Sequence, residues 1–167
     1  MMNMWAVEYK PETLDEFYGN DKAASEVLEW VRNWKREKKK ALMIIGPCGT
    51  GKTVLCELIA KKLSLNLVET NSSDVRSKKT LLGFFGKSLA QQSLFFSGKL
   101  VLFDELDGLS GMKDRGAASA LKEIISNTKH PVILTATDKT VRSVKDLKTT
   151  CKVVNFDSIS MVDLVKV

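Results

Sequence analysis

The residues Gly46-Pro47-Cys48-Gly49-Thr50-Gly51-Lys52-Thr53 have the types and spacing of a loop that holds phosphate. The pattern is G-x-x-x-x-G-K-[ST], in which backbone N–H groups surround phosphate oxygens and the Lys reaches the β/γ oxygens. Its glycines permit backbone angles and a close approach that a Cβ would block. Thr53 would offer its hydroxyl to Mg²⁺, and the helix that follows would aim its positive end at the phosphate charge. A second stretch, Leu100-Val101-Leu102-Phe103-Asp104-Glu105, delivers two carboxylates at the end of an apolar run. Asp104 suits the shell of Mg²⁺, directly or through water, and Glu105 is placed to polarise an attacking water. Thr137 ends a third apolar run and could reach a γ-phosphate. A Gly-rich turn before an ordinary helix is the bland alternative for the first pattern alone. Paired with the acidic strand end, the pattern points to binding and cleavage of a nucleoside triphosphate, with Lys52, Glu105 and Thr137 as the catalytic set.

These residues need elements to position them. Ala41-Leu42-Met43-Ile44-Ile45 is an apolar run read as a buried strand, and Val54, Leu55, Leu58 and Ile59 after the loop recur at helical spacing. Leu65 to Glu69 predicts a second strand, Leu100 to Phe103 a third, Val132 to Asp138 a fourth and Lys152 to Phe156 a fifth. Helices are predicted between them: about 77–90 (Leu81, Leu82, Phe85, Leu89), Arg115 to Asn127 (Ala117, Leu121, Ile124, Ile125) and Val141 to Leu147. Alternating strands and helices predict an α/β fold, a five-stranded and mostly parallel sheet covered on both faces. In such sheets ligands bind at the carboxyl ends of the strands, where the loop and both acids would lie. Upstream, Asn20 is a candidate N-cap for an amphipathic helix carrying Ala24, Val27, Leu28, Val31 and Trp34. Pro11 argues against a helix through Trp5 to Gly19. The apolar residues there pack on the core, or part of the segment, with Val7 and Tyr9, covers an adenine base.

The chain has 167 residues, 44% hydrophobic and 28% charged, which suits one globular domain. No apolar run approaches the roughly 20 residues that span a bilayer and no signal peptide opens the chain, so no membrane role is expected. Three cysteines without metal spacing predict free thiols and a reducing compartment. The net charge of +6 suits a polyanionic partner. Arg32 to Lys40 gathers six positive charges against one negative; it is a solvated helix end or a patch that tracks phosphates. Asp107 reads as a turn residue, and His130, the only histidine, as structural.

With these residues in place, the chain resembles the AAA+ ATPases, and among them the large subunits of replication factor C, the archaeal and eukaryotic sliding-clamp loader. The resemblance rests on Trp5 and Tyr9-Lys10-Pro11, the phosphate loop, Glu69-Thr70-Asn71-Ser72-Ser73-Asp74-Val75-Arg76-Ser77-Lys78, Asp104-Glu105-Leu106-Asp107-Gly108 and Asp114-Arg115-Gly116. It implies a three-layer P-loop core that binds ATP and Mg²⁺ through Gly46–Thr53 and Asp104. It also implies activity only in assembly with small subunits, which would supply an arginine finger, and a role in loading the clamp on primer-template DNA. DNA would meet Arg76, Lys78, Lys79 and Arg115. Leu94, Phe95 and Phe96 would touch the clamp, or the rings fold back onto the sheet. Residues 1–19 are expected to cover the nucleotide, 20–156 to form the core, and 157–167 to begin a lid region as another helix, the family's lid and collar being absent. The resemblance implies a cytoplasmic protein, or a nuclear one if eukaryotic. Two positions depart from the pattern: Thr137 where the family usually has Asn, and Thr149-Thr150-Cys151 where small subunits carry Ser-Arg-Cys. A nucleotide-holding scaffold that does not hydrolyse, or an ATPase acting on another nucleic-acid structure, are the alternatives.

Overall fold

The computed structural model describes residues 10–71, 81, 83, 96–109 and 115–160. Five strands run in chain order as β1 (Ala41–Ile45), β2 (Leu65–Asn71), β3 (Gly98–Asp104), β4 (Val132–Ala136) and β5 (Cys151–Asn155). Among the described residues they are accompanied by the helices α1 (Asp21–Asn33), α2 (Lys52–Lys62), α3 (Arg115–Asn127) and α4 (Arg142–Lys148). The sheet order is β2-β3-β4-β1-β5, and every pairing is parallel. The apolar runs read from the sequence are thus strands, and β1 and β4 are buried along their whole length, as a parallel sheet covered on both faces requires.

Because successive side chains of a strand point to opposite faces, each strand feeds two cores. Ala41, Met43, Val101, Phe103, Val132 and Leu134 face the layer formed by Leu121, Ile125, Val144 and Leu147 of α3 and α4. Leu42, Ile44, Leu100, Leu102 and Ile133 face Val27 and Trp30 of α1 and Leu55 and Ile59 of α2. The result is the expected three layers. The stripe of α1 differs in one respect from its reading: Trp30 is completely buried and Leu28 only half-buried, because the helix turns its one-residue-wider face to the sheet. Trp34 continues the stripe from a following 3₁₀ turn, Trp34–Arg36. Between Pro11 and Gly19 the chain makes one 3₁₀ turn, Leu14–Glu16, and Phe17 enters the core.

Two expectations need correction. Asn20 stands at the start of α1 but makes no side-chain cap; it is left-handed, with φ 59°. Its amide instead forms a pair of hydrogen bonds with the backbone of Asp157, donating to the carbonyl at 3.0 Å and accepting from the N–H at 2.7 Å. Left-handed geometry aims the side chain away from the helix N–H groups and toward the chain leaving β5. The residues after β5 do not open as a helix: Asp157 to Ser160 are irregular, and the rest of the expected lid segment lies outside the described residues.

The Asn20 pair ties the entry of α1 to the exit of β5, so it should be felt in stability. Asn20→Ala loses two hydrogen bonds at about 0.5–1.5 kcal/mol each and places an alanine in a left-handed backbone. A loss of about 2 kcal/mol is expected in urea unfolding, and a smaller one for Asn20→Gly, which keeps the backbone unstrained. Equal losses for the two variants would show that strain contributes nothing there.

Candidate functional site

The phosphate loop leaves β1 at Gly46 and turns into α2 at Lys52. Two contacts show why its glycines cannot be replaced. Gly46 lies so close to Phe156 that a Cβ would stand 2.6 Å from that residue's carbonyl oxygen. A Cβ on Gly51, which has φ 82°, would stand 2.7 Å from the Phe17 ring. At Gly49, with φ 74°, nothing lies within 4 Å of that position, so this glycine serves the turn and leaves the surface of the loop open. Gly46 is held by its N–H to the Ala136 carbonyl at 3.1 Å, and Thr50 by its hydroxyl to the Pro47 carbonyl at 2.9 Å. Pro47 and Cys48 are exposed. α2 begins with no side-chain cap, so the N–H groups of its first turn face the loop, the arrangement that attracts an anion.

Lys52 curls back over the loop, its ammonium donating to the carbonyls of Gly46 and Pro47 at 2.7 Å each. An ammonium has three donors, so this grip is compatible with a further bond to a phosphate oxygen. The Thr53 hydroxyl donates to Asp104 Oδ2 at 3.0 Å. That separation fits two neighbouring ligands of an octahedral ion with metal–oxygen bonds of about 2.0–2.1 Å. The expected Mg²⁺ pair is therefore brought together from α2 and β3. No cluster of three or more His, Cys, Asp or Glu that could hold a metal occurs among the described residues. An ion on Thr53 and Asp104 would complete its shell with phosphate and water oxygens, as Mg²⁺ at phosphate sites does.

Glu105 is exposed and left-handed, with φ 55° and ψ 50°, a conformation that lifts its side chain out of the strand direction. Asn71 Nδ2 donates to Glu105 Oε2 at 2.9 Å; the two residues come together because β2 and β3 pair in a register that sets Asn71 beside Asp104. Thr135, completely buried in β4, donates its hydroxyl to Asp104 Oδ1 and accepts the Glu105 N–H at 3.0 Å. Neither Asn71 nor Thr135 stands out in the sequence, although a hydroxyl inside the apolar run Val132–Ala136 was the available sign. Asp107 is more than a turn residue: its carboxylate accepts the Thr137 N–H at 2.8 Å and so joins the exits of β3 and β4. The Thr137 hydroxyl lies 3.8 Å from Cys48 Sγ, beside the loop.

The thiols divide by burial, and all three are free. Cys56 sits behind the loop in α2, where burial first and then the carboxylates of Asp104, Glu69 and Glu57 push its thiol well above the usual range. Cys151 is pushed up to about 12 by burial, with Lys39 opposing. Both stay protonated and inert, whereas Cys48 is exposed. The carboxylates that act on Cys56 also make the ground behind the loop negative, which a bound cation would relieve. Lys10 relieves part of it through an ion pair with Glu57.

The loop, the Thr53–Asp104 pair, Glu105 and Thr137 thus gather at the carboxyl ends of β1, β3 and β4. The family model described as "ATPase family associated with various cellular activities (AAA)" matches residues 42–155. The chain belongs to the AAA ATPase family. It is 34% identical over 166 residues to the replication factor C large subunit of Thermofilum pendens, covering 98% of this chain and 40% of that protein. To the replication factor C large subunit of Methanococcus aeolicus it is 36% identical over 164 residues, covering 98% of this chain and 35% of that one. The chain thus spans two-fifths or less of the length of these relatives. In fold it is similar to a katanin structure concerned with self-assembly, with TM-score 0.67 and 21% identity over 87% of this chain and 53% of that one. The RuvB Holliday junction branch migration motor of Thermotoga maritima is also similar, at TM-score 0.65 and 21% identity over 95% of this chain and 52% of that one.

Other expected residues are less concentrated. Val7 and Tyr9, Arg76, Lys78 and Lys79, and Leu94 and Phe95 lie outside the described residues. Arg115 opens α3, its side chain likewise outside. Phe96 does not fold back onto the sheet; it is 46% exposed just before β3. His130 is half-buried, and burial together with Lys99 and Lys129 holds its imidazole below the usual range. No described helix is long and apolar enough to cross a membrane.

Thr135 offers a direct check of the site's internal wiring. Thr135→Val keeps the shape but removes the donor to Asp104 and leaves the Glu105 N–H without its acceptor. A destabilisation of about 1–3 kcal/mol in chemical unfolding is expected, together with weaker Mg²⁺-dependent nucleotide binding. Thr135→Ser should recover most of both. If the valine variant unfolds and binds like the parent, the bridge has no energetic role.

Proposed function

We propose that the chain is the ATP-binding and hydrolysing core of a sliding-clamp loader large subunit. The observation that carries the catalytic part is the convergence of Lys52, the Thr53–Asp104 pair and Glu105 at the carboxyl end of one parallel sheet. The clamp-loader part is supported by similarity to replication factor C large subunits across nearly the whole chain.

In this reading Gly46 to Thr53 surround the triphosphate, and Lys52 answers its β/γ charge. Thr53 and Asp104 would hold Mg²⁺, which when bound neutralises charge developing on the phosphate oxygens. Glu105 accepts a hydrogen bond from the attacking water and orients it, while the Asn71 amide sets where that carboxylate waits. Thr137 reports on the γ-phosphate through one hydroxyl. An arginine finger from a neighbouring small subunit would supply the rest, an effect of roughly 10³–10⁵ in rate. Val7 and Tyr9 would cover the adenine. Arg76, Lys78, Lys79 and Arg115 would meet the phosphates of primer-template DNA, and Leu94, Phe95 and Phe96 the clamp, Phe96 being exposed enough to do so. A second reading, a scaffold that holds nucleotide without cleaving it, draws on Thr137 where the family usually has Asn.

The decisive experiment measures ATP binding and ATPase of the chain alone and then with small subunits, clamp and primed DNA. Turnover should be negligible alone and appear on assembly. Lys52→Ala should abolish nucleotide affinity while the fold persists, because it removes a charge-assisted contact. Glu105→Gln should bind ATP yet stall turnover. ATP binding retained by a folded Lys52→Ala protein would sink the site assignment. Robust turnover by the isolated chain would contradict the clamp-loader reading, and none in the full assembly would favour the scaffold.

A further inference from the structure

The opposite end of the sheet carries a second charged concavity. It is a cavity of about 610 Å³ at the amino ends of β2, β3 and β4, bounded by Leu65, Gly98 and Pro131. Cations reach it from three separate parts of the chain. Arg32, Lys35 and Arg36 come from the end of α1 and the 3₁₀ turn after it, Lys99 from the start of β3, and Lys129 from the loop before β4. No Asp or Glu among the described residues lines it. Among the described residues, Arg32, Lys35, Arg36 and Lys129 form no ion pair, and all four are exposed.

A solvated helix end explains charges on one helix. It does not explain why Lys129, from a distant segment, shares the same hollow with no carboxylate among the described lining residues. Like charges brought together repel, and folding gains nothing from collecting them. His130, on the cavity wall, registers that field: besides burial, Lys99 and Lys129 are what disfavour its protonation.

The lining also discriminates between polyanions. Val31, Trp34 and Pro131 are buried, and the Trp34 indole N–H is used internally, donating to the Lys40 carbonyl at 2.9 Å. Among the described residues the wall thus offers mainly charge, with half-buried Leu65 as its partly accessible apolar residue, far less than the clustered anchors on which protein interfaces depend. A phosphate backbone needs only the charge, since neutralised phosphates release counterions and drive binding without base contacts. We propose that this cavity is a nucleic-acid site that takes the phosphodiester backbone of a strand, apart from the nucleotide site. β3 alone separates the two by about 20 Å, at 3.3 Å per residue. The site does not rest on the ATPase reading, and it differs from the DNA face placed at Arg76, Lys78, Lys79 and Arg115.

The test is fluorescence anisotropy of a labelled mixed-sequence oligonucleotide, single-stranded and duplex, titrated with the purified chain across a salt series. The variant R32A/R36A/K129A removes three exposed cations that play no part in the nucleotide site. Its affinity should fall at least about tenfold, and the slope of log K against log salt should become shallower by about 2–3, at roughly 0.7–0.9 per phosphate contact. Affinity for a fluorescent ATP analogue and the melting temperature should stay as in the parent. Lys35→Glu alone, should the triple variant fold poorly, is expected to weaken DNA binding in the same direction. Unchanged affinity and slope would overturn the proposal, as would loss of DNA binding only on reversing Arg76 and Arg115. Failure of the parent chain to bind either oligonucleotide, with poly-glutamate bound instead and lost in the triple variant, would overturn it in favour of an acidic protein partner.

Discussion

The Asp104 carboxylate is the point at which the carboxyl end of this sheet is held together. One oxygen receives the Thr53 hydroxyl from α2 and the other the Thr135 hydroxyl from β4. Three elements far apart in sequence are thereby fixed around two oxygen atoms. A half-buried carboxylate is costly to desolvate, and it is tolerable because charge-assisted hydrogen bonds replace its lost water. The bonds also set geometry. They hold Asp104 against the first turn of α2, so the carboxylate proposed to ligate the metal would lie beside the loop before any ion arrives. Through Thr135 they reach the Glu105 N–H as well, and the carboxylate that would orient water is anchored by the residue that would ligate the metal.

The loop itself is shaped by residues outside its motif. Phe17 lies against Gly51, and Phe156 against Gly46. The two rings in turn contact each other at 6.4 Å between centroids. A segment before α1 and one after β5 thus meet beneath the loop, and the Asn20–Asp157 bonds close the same joint. Lys10 with Glu57, and Lys61 with the Glu12 carbonyl at 3.0 Å, tie the early segment to α2. A change in either flanking segment would therefore move the phosphate-binding backbone. That is a physical route by which neighbouring chain, or a neighbouring molecule pressing on it, could reach the site.

What the sequence makes legible follows from how local each signal is. The phosphate loop, β1 and α2 are contiguous, and their chemistry and period can be read directly. Asp104 and Glu105 are legible because an apolar strand ending in acids is also a local pattern. Thr135 and Asn71 are not, since their roles depend on the order β2-β3-β4, which places each beside the acidic strand end. Asn20 misleads for a related reason: its residue type fits an N-cap, but the backbone before α1 is left-handed, and its partner is 137 positions away. Trp30 escapes a stripe counted at strict intervals because the buried face of α1 is wider than one row. The basic run Arg32 to Lys40 could be read two ways, and only the fold reveals that Lys99 and Lys129 join it.

The same parallel sheet explains why two opposite kinds of surface coexist in so small a domain. All five strands point one way, so their carboxyl ends gather the loop, the acids and the threonines, while their amino ends gather what precedes each strand. At β3 the division falls within one element: buried Lys99 near its start and Asp104 at its end. The exposed cations Arg32, Lys35, Arg36 and Lys129 lie about the length of β3 from the acids, beyond the Debye length of about 8 Å at physiological salt, so solvent screens them from that end. On the proposed reading the cationic end would therefore neither weaken a metal held by Thr53 and Asp104 nor compete with Lys52 for phosphate. A strand paired along its whole length with β2 can hold both ends at a fixed distance, which would let one domain present the proposed nucleotide site and cationic hollow independently.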